Sequence, residues 1–323
     1  MRMRNVEINP GRLCNNRCVF CMSGLERDRR EPWVPAATVR AELRRHHAEG
    51  ARAVGFIGGE PSVYPGIVES VAFARELGYQ RISLCTNGMR LSDRRFLGRL
   101  VRAGMTRVTV SVHSHLSGVE DALTGVPGGW AKKLQGVRNL VKIRRSGALR
   151  DNVSLNPVLC RPNMRSLPEF VRFFAAEGID DVRCNFIWPQ GRAERDPRIV
   201  PRFREAVPWM LKLLLANERE GLVRLSFGGV PYCVLPPAFQ KRWPLLKKYF
   251  YEEGSDLPTD VTFLRGKGKG PTERFNWVER SKDEYRCRVD GCRTCPFGDV
   301  CMGIYRSYAA LYGQEEFGRP ETA

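Results

Sequence analysis

The chain of 323 residues contains no run of about 18 apolar residues. No apolar segment typical of a secretory signal follows its first five residues. A membrane-spanning or secreted protein is therefore not expected, and the predicted location is the cytoplasm. The chain is also not poor in apolar residues, since hydrophobic residues make up 42% of it and charged residues 27%. These proportions are ordinary for a folded globular protein, so extended disorder is not expected either.

Acidic residues are scarce relative to basic ones. Asp and Glu total 35 against 53 for Lys and Arg, a formal excess of 18 positive charges. Such a field favours an anionic partner, such as a phosphorylated or nucleotide-linked metabolite, an acidic peptide or nucleic acid. The arginines are nevertheless spread over every predicted helix and form no single basic block, so solvated helix faces also explain the excess. Nucleic acid is a candidate partner that this distribution does not favour.

The cysteine-rich segment near the N-terminus lacks a fourth cysteine. Cys14, Cys18 and Cys21 lie on one short stretch, with three and then two residues between them. Since the cytosol keeps thiols reduced, eleven cysteines indicate metal ligation before disulfides. Thiolates suit an iron–sulfur cluster, and three ligands leave one iron of a four-iron cluster (4Fe-4S) open to a group that is not protein. The alternative is a zinc site that recruits a distant fourth ligand.

This Cys-x3-Cys-x2-Cys spacing, with the aromatic Phe20 before the last cysteine, resembles the radical S-adenosylmethionine (radical SAM) superfamily. The resemblance implies that Cys14, Cys18 and Cys21 hold a catalytic 4Fe-4S cluster whose open iron chelates the amino and carboxylate groups of S-adenosylmethionine (SAM). Phe20 would lie against the adenine. It also implies the reaction: reductive cleavage of SAM gives a 5′-deoxyadenosyl radical, which abstracts a hydrogen atom from the substrate.

The fold is predicted from alternating strands and helices. Short apolar runs indicate buried strands at 6–9, 53–57, 81–85, 107–112, 152–157 and 181–187. Helical patterns lie between them at 37–49, 66–77, 93–103, 130–146 and 167–177, and each is followed by a glycine. A further helix at 201–220 and a strand at 223–227 continue the rhythm. The expected class is α/β, with parallel strands in a partial (βα)6 TIM-like barrel.

The pattern changes after Gly228, which predicts two domains. Residues 1–227 are expected to form the radical SAM barrel, and residues 228–323 a small cysteine-rich iron–sulfur module with a Gly/Lys-rich loop at about 254–274. Because the barrel is expected to begin at about Val6, a separate leader-peptide-binding domain ahead of it is not expected.

Ligands of such barrels bind at the carboxyl ends of the strands. Gly58-Gly59-Glu60 follows the second strand, and it resembles the superfamily motif whose carboxylate binds the amino group of SAM. Thr86 and Asn87 end the third strand and match a Thr-Asn-Gly turn common in these enzymes, although a tight turn alone explains them equally well.

Further polar residues end the later strands. Ser111 and His113 follow the fourth strand, where relatives place residues near the ribose of SAM, and His113 is alternatively a hydrogen-bonded core histidine. Asn156, Cys184 and Asn185 are expected to face the cavity on the fifth and sixth strands. Three cysteines are candidate hydrogen-atom donors but fit equally as small buried residues: Cys85, Cys160 and Cys184.

A second group of cysteines lies near the C-terminus, at Cys287, Cys292, Cys295 and Cys301. It resembles the auxiliary-cluster modules called SPASM and twitch, but the later cysteines of a full SPASM pattern are missing. One auxiliary 4Fe-4S cluster is therefore expected, in addition to the SAM-binding one. Its fourth ligand is Cys233, which we favour slightly, or Cys287, and a structural zinc site is the alternative.

The expected function is hydrogen abstraction by a radical SAM enzyme in natural-product biosynthesis. Relatives with such modules oxidise or epimerise sugars and other small molecules, or modify ribosomal peptides, so a small-molecule or peptide substrate is expected. A flavodoxin or ferredoxin-type protein would supply the electron. The alternatives are an enzyme that modifies RNA or nucleotides, and a non-catalytic iron–sulfur electron carrier.

Overall fold

The computed structural model of the protein describes residues 3–22, 32–250, 258–265 and 271–318. Its strands are β1 Arg4–Asn9, β2 Ala51–Phe56, β3 Arg81–Thr86, β4 Arg107–Val110, β5 Val153–Leu155, β6 Val158–Leu159, β7 Asp181–Phe186, β8 Arg224–Gly228, β9 Thr259–Phe263, β10 Glu273–Asn276, β11 Arg286–Cys287 and β12 Ile304–Tyr305. Its helices are α1 Ala36–Ala48, α2 Ile67–Leu77, α3 Arg94–Ala103, α4 Ser117–Thr124, α5 Gly129–Arg145, α6 Leu167–Ala176, α7 Phe203–Glu220, α8 Pro237–Gln240, α9 Trp243–Tyr249, α10 Trp277–Arg280 and α11 Arg306–Tyr312.

One large sheet organises the molecule, in the order β10-β9-β1-β2-β3-β4-β5-β7-β6, with β8 also paired to β7. All of these pairs are parallel except β9 with β10. In the described part of the chain, β10 and β8 lie at opposite ends of the sheet and do not pair, so the barrel is open. The predicted α/β partial barrel is confirmed. The predicted helix ends at Gly78 and Gly104 are also confirmed, since both glycines adopt left-handed backbone with φ of 94° and 116°.

The fifth predicted strand, at 152–157, is divided in two. β5 ends at Leu155, and β6 resumes at Val158, which pairs with Asn185 of β7. Pro157 separates them because it has no backbone N–H to donate to a neighbouring strand. The interruption places Asn156 at the carboxyl end of β5, where a side chain can face the ligand-binding edge of the sheet.

The predicted Gly/Lys-rich loop at 254–274 is wrong for part of its length. Residues Thr259–Phe263 form β9, which pairs in parallel with β1, and the side chain of Val261 is 2% exposed. Three of its five residues are β-branched, and the glycines and lysines on either side hide the strand pattern in the sequence. Residues 254–257 and 266–270 of the predicted loop lie outside the described residues. β9 and β10 thus join the main sheet from beyond the predicted boundary at residue 228, and the division into two domains stays a prediction.

The two faces of the sheet differ in polarity. Residues such as Ile82, Leu84 and Val108 are buried in the hydrophobic core. Alternate residues point to the opposite face, where half-buried polar side chains line up across neighbouring strands. This polar inner face comprises Glu7, Ser83, Thr109, Arg183 and Ser226. The open barrel therefore presents a hydrophilic interior beneath the ligand-binding edge.

No helix in the described ranges is both long and apolar enough to cross a membrane.

Candidate functional site

The three N-terminal cysteines lie on the loop that follows β1, at the carboxyl edge of the sheet, and each is half-buried. The backbone N–H of Asn16 donates to Cys14 Sγ over 3.3 Å, and Asn16 Nδ2 approaches Cys18 Sγ at 3.8 Å. Burial raises the pKa of Cys14 to about 12 and that of Cys18 to about 11. Both thiols therefore remain protonated without a metal, and metal binding must release their protons.

The two glycines of the Gly58-Gly59-Glu60 motif pack directly on this cysteine loop. Gly59 N–H donates to Gly11 O over 3.0 Å, and Glu60 N–H donates to Leu13 O over 2.8 Å. A Cβ on Gly59 would lie 2.2 Å from Leu13 O, and one on Gly58 would lie 2.5 Å from Asn9 Oδ1. The close packing of the protein's own loop therefore requires glycine at both positions.

Glu60 is hydrogen-bonded to two other predicted site residues, Thr86 and Asn87. Its side chain is 1% exposed, and Oε1 accepts hydrogen bonds from Thr86 Oγ1 at 2.5 Å and from Ser62 N at 3.0 Å. Oε2 accepts one from Asn87 N at 2.6 Å. The Asn87 amide then donates to Asn15 Oδ1 over 2.7 Å, which ties the end of β3 to the cysteine loop. A carboxylate offers about four acceptor positions, so capacity for a ligand's ammonium group remains.

Phe20, which lies on the cysteine loop, and His113 form an aromatic wall beside the three cysteines. Their ring centroids are 4.7 Å apart and the rings meet edge to face. His113 is 3% exposed, its Nδ1 accepts the Val158 N–H over 3.1 Å, and burial lowers the pKa of His113 to about 4. The ring is therefore neutral with its proton on Nε2. His113 is a hydrogen-bonded buried histidine, as one of the two predictions had it, and it also contacts the predicted adenine-binding residue.

Two charged residues that the sequence analysis did not single out lie behind this wall. Glu120 of α4 is 0% exposed and Lys133 of α5 is 1% exposed. Lys133 Nζ lies 2.5 Å from Glu120 Oε1 and donates to Ser111 O over 3.2 Å. The remaining Glu120 oxygen accepts the N–H groups of His113 and Ser114 at 2.7 and 2.8 Å. Although burial opposes ionisation, Lys133 and these bonds hold the pKa of Glu120 below its usual value. The sequence gives no signal for such a pair, because a charged residue that becomes buried looks the same in the sequence as one that stays exposed.

The residues of β5 and β7 divide between the two faces. Asn185 Nδ2 donates to Asn156 Oδ1 over 2.7 Å, so these two predicted cavity residues meet. Cys184 is adjacent to Asn185 on β7 and therefore points to the other face, where it is fully buried. The prediction that Cys184 faces the cavity is wrong. Burial raises the pKa of each of the three barrel cysteines to about 12: Cys85, Cys160 and Cys184.

The C-terminal cysteines are gathered around a cavity beyond β8. Cys233, Cys292, Cys295 and Cys301 all line it, together with the aromatic side chains of Tyr232 and Phe297. Burial raises the pKa of Cys233 to about 12, and the three neighbouring thiols add to this. Cys287 does not line the cavity, because it lies in β11, where it pairs with Ile304. Of the two candidates for a fourth ligand, the structure brings Cys233 to the other three.

Each cysteine group brings together free thiols, which are the side chains that iron–sulfur clusters take as ligands. Asn16 Oδ1, between Cys14 and Cys18, is a buried acceptor without a partner among the described residues, as is typical where a bound group completes a site. Across the described ranges, no three or more His, Cys, Asp or Glu side chains already surround a position for a single metal ion.

The protein is thus an open, mostly parallel α/β barrel with a three-cysteine loop at the carboxyl edge of its sheet. Residues 8–174, just over half of the chain, match the family model described as the Radical SAM superfamily. The chain belongs to the radical SAM superfamily, whose members are enzymes that use a 4Fe-4S cluster and SAM.

Curated relatives are similar over the barrel. A probable GTP 3′,8-cyclase of Sulfolobus acidocaldarius is 28% identical over 189 residues, which are 58% of this chain and 58% of that protein. A protein of the same name from Saccharolobus islandicus is 27% identical over 190 residues, again 58% of each chain. The chain thus aligns with little more than half the length of these relatives.

Solved structures share the fold over more of the chain. Streptococcus suis SuiB bound to S-adenosylmethionine has a TM-score of 0.67 at 15% identity, covering 99% of this chain and 77% of that one. Native anSMEcpe with bound AdoMet has a TM-score of 0.54 at 14% identity, covering 68% of this chain and 63% of that one. At these identities the likeness shows the fold.

Proposed function

We propose that this protein is a radical SAM enzyme that removes a hydrogen atom from a small polar substrate, with a second 4Fe-4S cluster at its C-terminal cysteines. The observation that carries the proposal is the docking of Gly58-Gly59-Glu60 on the loop of Cys14, Cys18 and Cys21. It brings three thiols and one buried carboxylate to a single edge of the sheet, and no electron carrier needs that carboxylate.

The residues at this edge have distinct proposed roles. Cys14, Cys18 and Cys21 bind three irons, and Glu60 accepts a hydrogen bond from the amino group of SAM. Thr86 and Asn87 hold the Glu60 carboxylate in place through the bonds described above. Phe20, backed by His113, packs against the adenine, and Ser111 and Asn156 lie at strand ends on the ribose side. When bound, the cluster and SAM together supply the 5′-deoxyadenosyl radical.

The polar inner face supports a hydrophilic substrate. Its hydroxyl, carboxylate and guanidinium groups, from Ser83, Thr109, Glu7 and Arg183, are half-buried beneath the site. A sugar or nucleotide presents many hydroxyl groups that match such a lining, and a net charge of +18 favours an anionic one. The curated relatives are named probable GTP 3′,8-cyclases, and GTP belongs to the same chemical class.

A peptide is the second candidate substrate. The observation that favours it is the likeness to SuiB, which has been solved bound to its precursor peptide SuiA and superposes on 99% of this chain. A flavodoxin or ferredoxin-type protein is the proposed electron donor for either substrate.

The proposed ligands of the auxiliary cluster are Cys233, Cys292, Cys295 and Cys301. Their shared cavity supports this set. Thiolates on four sides would complete a closed cluster, which is suited to accept the electron left on a substrate radical.

The decisive experiment gives dithionite and SAM to the full chain after anaerobic reconstitution and measures 5′-deoxyadenosine. Production is expected, and it should increase with a sugar nucleotide or GTP if the substrate is a small polar molecule. A Cys18→Ala variant is the control and should produce none. Absence of 5′-deoxyadenosine from the reconstituted protein with every substrate tried would contradict the enzyme proposal.

Iron counting tests the second cluster. Two four-iron clusters predict about eight irons and about eight sulfides per chain, falling to about four of each in a Cys292→Ala/Cys295→Ala variant. A Cys287→Ala variant is the matched control and should retain all of them, because Cys287 does not line the cavity. Stoichiometric zinc instead of iron would contradict the auxiliary-cluster proposal.

A further inference from the structure

The turn at residues 188–192, which begins two residues after the end of β7, rests on the cysteine loop. The Arg192 N–H donates to Cys21 O over 3.1 Å, and Arg192 Nη1 donates to Arg17 O over 2.9 Å. The turn therefore contacts the loop both before Cys18 and at Cys21. No role assigned so far explains this contact, because no residue of the turn is a proposed ligand of the cluster or of SAM.

Gly191 brings the turn and the loop together. It adopts left-handed backbone with φ of 66°, and a Cβ there would lie 2.7 Å from Cys21 O and 2.8 Å from Met22 O. These distances are shorter than a Cβ tolerates, so any larger residue would push the turn and the loop apart. The turn is also tightly folded, since the Gln190 N–H donates to Trp188 O over 2.8 Å. Only two residues separate Trp188 from the contact at Gly191.

Trp188 anchors the other end of the turn in the C-terminal part of the chain. Its ring stacks on that of Tyr305, with centroids 5.1 Å apart and an angle of 13° between the planes. Tyr285 meets it edge to face at 4.6 Å, and Trp277 does so at 6.3 Å. Stacked and edge-to-face pairs are the favourable geometries of aromatic rings. All three partners come from the chain beyond β9, so the turn joins that part of the molecule to the cysteine loop.

Tyr305 in turn lies next to the auxiliary cysteines. The guanidinium of Arg286, which is 3% exposed, lies 4.4 Å from the centroid of the Tyr305 ring and donates to Gly303 O over 3.1 Å. The Gly303 N–H donates to Cys301 Sγ over 3.4 Å. A continuous series of contacts thus leads from the auxiliary cysteines through the stacked rings to the cysteine loop.

We propose that Trp188 is a positioning residue for the SAM-binding cluster: stacked on Tyr305, it holds the 188–192 turn against the cysteine loop, so the C-terminal part of the chain completes the SAM site. The physical reason is that a cluster needs its thiols in a fixed arrangement, which a loop keeps only when neighbouring residues pack against it. Trp188 is not itself a proposed ligand and acts through the contact at Gly191. This inference rests on the proposed ligand set of the SAM cluster.

The test uses the reconstituted full chain and the electron paramagnetic resonance signal of the reduced cluster that changes when SAM is added. Titration of this SAM-responsive signal gives the Kd for SAM of the chains that hold the cluster, and iron counting gives the share of chains that hold it. In Trp188→Leu, the Kd for SAM is expected to rise by about threefold to tenfold, as for one or two lost aromatic contacts. The iron retained at this cluster is expected to fall. Trp188→Phe keeps an aromatic ring for stacking and is expected to restore most of both values.

A double-mutant cycle shows whether Trp188 acts through the turn. Gly191→Ala separates the turn from Cys21 and is expected to raise the Kd for SAM by itself. Since both changes then break the same contact, adding Trp188→Leu to Gly191→Ala is expected to raise the Kd no further. Increases in Kd that multiply would show that the two residues act independently, and they would overturn the inference.

The matched control is Trp209→Leu. Trp209 is a half-buried tryptophan of α7, and its ring lies 4.9 Å from Lys212 Nζ. This variant loses the same kind of side chain and is expected to keep the wild-type Kd for SAM and the wild-type iron content. A rise in Kd as large as that of Trp188→Leu would attribute the effect to a general loss of packing and overturn the inference.

A wild-type Kd and iron content in Trp188→Leu would also overturn it. If Trp188→Leu does not fold, Tyr285→Leu takes its place in the cycle with Gly191→Ala, because it removes the edge-to-face contact with Trp188 and leaves the turn itself intact. A wild-type protein without a SAM-responsive signal would instead contradict the proposed ligand set, so the two failures are distinguishable.

Discussion

At the scale of single residues, the site depends on side chains whose partners are already within the protein. Glu60 is expected from sequence to meet a ligand, yet it also accepts three hydrogen bonds from Ser62, Thr86 and Asn87. Its carboxylate therefore holds the end of β3 in place, and in its proposed role it also presents its remaining acceptor capacity to SAM. The same bonds explain why a Thr-Asn turn follows β3.

Glu60→Gln tests both purposes. The amide nitrogen of Gln cannot accept a hydrogen bond, so it loses either the Asn87 N–H or the ligand's ammonium group. We expect the free energy of unfolding to fall by on the order of 1–3 kcal/mol, and the Kd for SAM to rise about tenfold or more. Denaturant unfolding and equilibrium SAM binding measure the two effects. Glu76→Gln, on the exposed side of α2, should change neither, and wild-type SAM affinity in Glu60→Gln would remove Glu60 from the binding site.

At the scale of secondary-structure elements, α4 is one of the helices that the sequence analysis did not predict, and it is the one that contacts the cysteine loop. It is only eight residues long, and its apolar positions are too few to establish a helical period. Its importance comes from where its end lies, because its last carbonyl groups accept the N–H groups on either side of Cys18. A short helix thus supports the loop on which the chemistry is proposed to begin.

Gly125→Ala tests this support. Gly125 and Gly128 both adopt left-handed backbone, with φ of 65° and 73°, so alanine at either position costs roughly 1–2 kcal/mol of stability. Only the Cβ at Gly125 would meet Arg17, whereas nothing lies within 4 Å of one at Gly128. We expect Gly125→Ala alone to reduce the iron retained at the SAM cluster. Iron content after gel filtration measures this, and equal retention in the two variants would mean that α4 does not position the loop.

At the scale of the whole molecule, the C-terminal part of the chain returns to the barrel. β9 pairs with β1 along five residues, so the strand that leads into the cysteine loop has a partner on both sides. Parallel strands are more stable when both edges are paired and covered. The stability of the SAM site is therefore coupled to residues about 250 positions further along the chain.

Val261→Asp tests this coupling. The side chain of Val261 is 2% exposed within β9, and a carboxylate buried there is expected to destabilise the protein by on the order of 3 kcal/mol. Both the midpoint of thermal unfolding and the SAM-responsive cluster signal should decline together. Val300→Asp is the control, because Val300 is 43% exposed in the same C-terminal part of the chain. A SAM site that survives in a destabilised Val261→Asp variant would show that the two parts unfold independently.

Much of the fold was predictable because local patterns report it. The strands and helices of the repeated βα units follow apolar periodicity, and Gly78 and Gly104 end their helices where left-handed backbone is needed. β9 was missed because the glycines and lysines next to it carry no periodic signal. Cys184 was placed on the wrong face because Asn185 and Cys184 are neighbours on one strand, so only one of them can face the cavity.

By itself, the sequence determined the chemistry that the protein is equipped for. The spacing of Cys14, Cys18 and Cys21 and the Gly-Gly-Glu motif are formed by residues close together in the chain, so both can be recognised in the sequence alone. Only the tertiary structure decided which distant residues meet: Cys233 with the C-terminal cysteines, β9 with β1, and the Glu120–Lys133 pair behind Cys18. The reason is physical, since burial and strand register depend on the packing of the whole chain, and a charge becomes a buried partner only after that packing has formed.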